Sequence, residues 1–80
     1  MKILDLQPHL GEILDNFGIR KAFVKQKRLF ETNWRHPSLH TEILEPRHLR
    51  IYSFRITRKW RALFFLKNGD IEIFDITDYH

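Results

Sequence analysis

Cysteine is absent from this 80-residue chain, which excludes disulfides and every thiolate-ligated metal site and fits a reducing compartment. Long hydrophobic runs are missing as well. Charged residues interrupt each apolar stretch well short of the roughly 20 residues that cross a bilayer, and no signal peptide is visible, so a cytoplasmic location without membrane association is expected. A third absence is local. Between Arg47 and Lys67 there is no Asp or Glu, whereas Arg47, Arg50, Arg55, Arg58, Lys59, Arg61 and Lys67 supply seven of the 14 Lys and Arg residues.

What is present suits a folded protein. Hydrophobic residues make up 42% of the chain and charged residues 30%, enough apolar content to offset chain entropy. The length fits one small domain over residues 1–80. A formal net charge of +4 favours an anionic partner. In the basic stretch the charges interleave with Tyr52, Phe54, Trp60, Phe64 and Phe65, a strand-like rhythm that mounts them on a rigid sheet. A sheet studded with arginine points to phosphate.

The elements follow from punctuation and period. Lys2 to Leu6 reads as a short edge strand, and Gln7-Pro8 as a helix start, since proline is tolerated in the first turn. Leu10, Ile13, Leu14 and Phe17 then recur at helical spacing, and Gly18 stands where a left-handed residue ends a helix. A second helix is predicted from Ile19 to about Thr32, burying Ile19, Ala22, Phe23, Leu29 and Phe30 and exposing Lys21, Lys25 and Arg28. Asn33 to His48, with Pro37 and Pro46, reads as a connector carrying a strand at Thr41 to Leu44. Strands follow at Ile51–Ile56, Trp60–Leu66 and Ile71–Ile76, with Asn68-Gly69 as the hairpin turn between the last two. The expected fold class is α+β, two N-terminal helices packed on one face of a small, mainly antiparallel sheet.

Alternation assigns the faces. Tyr52, Phe54 and Ile56 should meet the helices, leaving Ser53 and Arg55 on the open face. Arg61 shares a face with Leu63 and Phe65, and a short connection places it across from Arg55. Two guanidiniums held close call for an anion between them, and each offers planar, bidentate hydrogen bonds, so the pair is a candidate phosphate clamp. The alternative is pairing with Glu72, Asp75 or Asp78 on the adjacent strand. Trp60 is expected in the core rather than stacked on a base. His36, His40 and His48 lack a metal-ligand spacing, and neither a metal nor a cofactor is expected.

The runs His36-Pro37-Ser38-Leu39, Ile51-Tyr52-Ser53-Phe54-Arg55-Ile56-Thr57-Arg58-Lys59-Trp60-Arg61-Ala62-Leu63-Phe64 and Gly69-Asp70-Ile71-Glu72-Ile73-Phe74-Asp75-Ile76-Thr77-Asp78 resemble the RelE/ParE toxin superfamily. The match covers about the last half of the chain. The resemblance implies the toxin of a type II toxin–antitoxin pair, typically a metal-independent endoribonuclease that cuts messenger RNA on the ribosome, with a cognate antitoxin as partner. It also implies roles. Arg61 would stabilise the transition-state phosphate, Arg55 would bind phosphate with Arg50, Arg58 and Lys59 beside it, and Tyr79 and His80 would correspond to a terminal His/Tyr pair supplying the general acid and a stacking group. Glu42 and Glu45 have no secure alignment to a general base.

The same scaffold serves other targets. Two alternatives stay open: a ParE-like inhibitor of DNA gyrase without nuclease chemistry, and a catalytically inactive relative that binds an antitoxin. Exposed sheet edges imply a protein partner in either case.

Overall fold

Pro8 opens the first helix, where its missing N–H is no loss because first-turn amides have no helical acceptor. In the computed structural model, which describes residues 1–78, α1 spans Pro8–Asn16 and α2 spans Arg20–Thr32. Gly18 between them has φ +65°, the left-handed conformation that glycine adopts without steric cost. Leu10 and Leu14 are buried as their spacing predicts, but Phe17 is 59% exposed and lies against Trp60, ring centroids 4.7 Å apart. Asp15 and Arg20 tie the two helices. The Arg20 Nε and Nη2 groups donate to the carboxylate, and that hydrogen bond holds the Asp15 carboxyl below its ordinary range and raises the guanidinium.

Among the described residues four strands form a meander: β1 (Glu42–Ile43), β2 (Tyr52–Arg55), β3 (Trp60–Lys67) and β4 (Asp70–Asp78), ordered β1-β2-β3-β4 and antiparallel throughout. Asn68 and Gly69 both have positive φ, 53° and 85°, the primed turn whose twist matches a tight hairpin. At the other hairpin the Thr57 hydroxyl accepts from the amides of Lys59 and Trp60. The connector is less extended than expected: its strand shrinks to Glu42–Ile43, flanked by 3₁₀ turns at Pro37–Leu39 and Arg47–Leu49. Lys2 to Leu6 is not a strand. A single parallel bridge joins Ile3 to Ile71, and Glu31 of α2 accepts the Ile3 amide at 2.8 Å, so a side chain takes the place of a second strand partner.

The core joins both halves. Phe23 and Phe30 of α2 stand at ring contact with Phe54 of β2, and Phe30 also meets Phe64 of β3 edge-on at 5.3 Å. Ile3, Leu10, Leu14, Leu39, Ala62 and Ile71 are fully buried as well. Burying each of the larger side chains stabilises the fold by roughly 1.5–3 kcal/mol. Among the described residues no helix is long and apolar enough to cross a membrane.

Candidate functional site

Pairing between β2 and β3 sets Arg55 directly opposite Arg61, as alternation and a short connection predict. Their side chains project from the sheet face opposite Phe54 and Phe64. The next row along that face is Glu42, Ser53, Leu63 and Asp75, each registered to its neighbour. The two rows bring Glu42 to Arg61: carboxylate and guanidinium are 3.8 Å apart.

Arg61 is held firmly. Its Nε donates to the Ser53 hydroxyl at 3.0 Å and its Nη2 to the His40 carbonyl at 2.5 Å. His40 presents that carbonyl from a left-handed backbone, φ 44°, at the end of the Pro37–Leu39 turn. Only 9% of Arg61 and 1% of Ser53 are exposed. The expectation of an open Ser53 is therefore corrected. Ser53 lies on the predicted face, but the Arg61 side chain folds over it, and the guanidinium in turn reaches the loop that carries His40. Of the anticipated acidic neighbours, Glu72 pairs with Lys67, Asp78 lies 3.9 Å from Lys59, and Asp75 accepts the Ile76 amide. A carboxylate beside Arg61 comes from β1, Glu42.

Arg55 is half-buried, and among the described residues no hydrogen bond or ion pair engages its side chain. Its carbonyl accepts from Gln26 Nε2 at 2.8 Å, and the same amide reaches the Ser38 carbonyl at 3.4 Å. Gln26, buried to 7% exposure, thus fastens α2 to β2 behind the arginine pair and to the turn before His40. Its position at helical spacing on the Phe23–Phe30 stripe is the one sequence signal of its burial, and its polarity masks that signal. Gln26→Leu should leave the Arg55 carbonyl unpaired and cost about 1–3 kcal/mol. Urea unfolding measures this, and an unchanged midpoint would show that the amide contributes nothing.

Arg58 and Lys59 are exposed in the hairpin loop that follows Arg55. Arg50 is not near them. It stands at the opposite end of β2, exposed and with φ 55°. Trp60 is half-buried, packed on the core edge and against Phe17 rather than enclosed. Tyr79 and His80, the anticipated acid and stacking group, lie outside the described residues. His36 is engaged locally, its Nδ1 accepting the Ser38 amide at 3.2 Å. Among the described residues no group of three or more His, Cys, Asp or Glu side chains could hold a metal ion.

A guanidinium fixed in orientation, a second arginine registered opposite it and a carboxylate within 4 Å form a set that can grip a phosphodiester and move a proton next to it. No family model matches the sequence, and no curated protein matches it. Solved structures do resemble it. A YoeB/ParE toxin from Agrobacterium tumefaciens superposes with a TM-score of 0.72 at 12% identity, covering 100% of both chains. A chain of the heterotetrameric YoeB–YefM toxin–antitoxin complex from Staphylococcus aureus gives 0.61 at 24% identity over 100% of this chain and 97% of that one. YafQ from E. coli strain BL21(DE3) gives 0.66 at 8% identity over 96% and 89%. The chain therefore has the RelE/ParE-like toxin fold.

Proposed function

We propose that this protein is the toxin of a type II toxin–antitoxin pair, a cytoplasmic endoribonuclease that cuts messenger RNA on the ribosome. The observation that carries the reading is the Glu42 carboxylate 3.8 Å from an Arg61 guanidinium that Ser53 and His40 hold in place. Metal-free cleavage of RNA needs three services: a base for the 2′-hydroxyl, positive charge for the phosphorane, and an acid for the departing 5′-oxygen. Glu42 takes the 2′ proton, and the 2′-oxygen then bonds to phosphorus. Arg61 stabilises the dianionic phosphorane, and Arg55, registered opposite it, binds a non-bridging oxygen. His80 or Tyr79 donates the proton to the 5′-oxygen as its bond to phosphorus breaks, leaving a 2′,3′-cyclic phosphate and a 5′-hydroxyl. Arg58, Lys59 and Arg50 contribute phosphate contacts along the strand.

The proposed protein partner is a cognate antitoxin, supported by the Staphylococcus aureus neighbour that was solved in a YoeB–YefM toxin–antitoxin complex. The helices would close one sheet face and leave the arginine face to RNA or to the antitoxin that blocks it.

The test is a purified translation reaction programmed with one defined messenger and mapped for new 5′ ends. Cuts inside translated codons that require ribosomes are the expected result. Growth inhibition in cells without such cuts, accompanied by trapped gyrase–DNA complexes, would reject the nuclease reading in favour of gyrase. Absence of both effects would leave an inactive antitoxin-binding relative.

A further inference from the structure

The arginine pair occupies one end of its sheet face; the other end is aromatic. Phe65 of β3 lies four residues beyond Arg61, about 14 Å away at the rise of a strand, and shares its face by alternation. Opposite it a β-bulge alters β4. Leu63 pairs with Asp75 while Phe64 pairs with Ile73, so Phe74 is the extra residue. Bulges re-aim side chains, and this one turns both Phe74 and Asp75 to the arginine face. Phe74 consequently meets Phe65, ring centroids 5.8 Å apart and planes tilted by 36°. Both rings are half-buried. With Ile51, Leu49 and Arg50 they line a shallow concavity, and Leu49 is 54% exposed. Of these groups the cleavage reading uses only Arg50, as a phosphate contact.

We propose that Phe65 and Phe74 form a stacking platform for unpaired bases of the RNA strand whose phosphate lies at Arg55 and Arg61. This inference rests on the RNA-cleavage reading and extends it to a base subsite. Aromatic rings on an exposed sheet face stack bases of any identity, and a cationic track beside them holds the backbone. Both parts are present on one surface. Arg50 stands exposed at the rim of the aromatic end, and Arg55 and Arg61 lie at the other. The acidic groups on this face are already engaged: Glu72 with Lys67 at 3.3 Å, Asp75 with the Ile76 amide at 2.9 Å, Glu42 beside Arg61. A phosphate strand crossing the face thus meets carboxylates held by Lys67, by Arg61 or by a backbone amide, together with the exposed Arg50 guanidinium. An apolar protein interface, by contrast, would have few charges at its centre, whereas here the aromatic pair continues directly into the arginine rows.

The experiment compares wild type with Phe65→Leu/Phe74→Leu, which keeps both positions apolar and removes both π faces. Binding of fluorescent hexaadenylate is measured by anisotropy across a salt series, with an abasic hexamer as the backbone-only probe. The double variant should bind hexaadenylate about ten-fold or more weakly, bind the abasic hexamer as wild type does, and keep the same salt slope. Equal binding of hexaadenylate by both proteins overturns the platform, as does failure of wild type to bind it. In either case ribosome-dependent cleavage by wild type leaves the nuclease reading standing. Stacking retained with no cleavage would leave the subsite and remove the chemistry. If the double variant does not fold, photocrosslinking of 5-iodouridine hexamers to wild type decides the matter: adducts on Phe65 or Phe74 support the platform, and adducts confined elsewhere overturn it. Self-association through this face that RNA does not relieve also overturns it, in favour of a protein interface.

Discussion

Arg61→Lys is expected to slow ribosome-dependent cleavage by on the order of 10²–10³, the scale seen when one preorganised donor to a developing anion is removed. Lysine keeps the charge, so the loss isolates geometry. The guanidinium is planar and its donors are fixed relative to one another, which lets Ser53 and His40 aim it by holding Nε and Nη2. An ammonium is a point charge on a flexible stem and cannot be aimed in this way. The variant should still fold. It leaves the Ser53 hydroxyl without its Arg61 donor, for which water or a shifted lysine compensates only partly, so a loss of about 1–3 kcal/mol is expected. Thermal unfolding and single-turnover cleavage, measured on the same preparation, separate the two effects. A folded Arg61→Lys protein that cuts at the wild-type rate would reduce Arg61 to a staple between β2, β3 and the His40 loop, a role its 9% exposure fits equally well.

The parts of the fold that were legible in the sequence are those fixed by local rules. Pro8 and Gly18 bracket the first helix because one lacks an amide and the other tolerates positive φ. Asn68-Gly69 sets the last hairpin, which in turn sets the alternation that pairs Arg55 with Arg61. What escaped depends on distant partners. Ile3 pairs with Ile71 across nearly the whole chain, and a lone bridge leaves no periodic signature. Glu42 sits on a strand of two residues, too short for alternation to show, and its place beside Arg61 follows only from the registers of two successive strand pairs. The bulge at Phe74 shows only as a break in alternation, Ile73-Phe74 followed by Asp75-Ile76, and one such break does not tell a bulge from a polar substitution in a continuous strand. Ser53 illustrates a different failure. Its face was read correctly, but alternation says nothing of a long side chain folding back to cover a short one.

Glu42→Gln should lower the cleavage rate further, by about 10²–10⁴, the range attributed to a positioned general base. The amide has the shape of the carboxylate and retains an oxygen acceptor, but it cannot take up the 2′ proton. At 3.8 Å the Glu42–Arg61 pair is longer than the 2.7–2.9 Å of a charge-assisted hydrogen bond, so the carboxylate is placed beside the guanidinium without being locked to it. Because the Glu42 side chain is 55% exposed, losing its charge should alter stability by no more than about 1 kcal/mol. Binding of RNA should persist or tighten slightly, since a negative charge leaves the phosphate site. The expected signature is therefore a fall in the single-turnover rate at saturating ribosomes with little change in the concentration needed for half-saturation. A Glu42→Gln protein that cuts within threefold of wild type would remove the base assignment and leave Arg61 acting alone. The double variant with Arg61→Lys supplies the sharper distinction. Groups that act as a unit are non-additive, so the pair should be about as slow as the slower single variant, whereas rate losses that multiply would mean that the carboxylate and the guanidinium contribute independently to the same barrier.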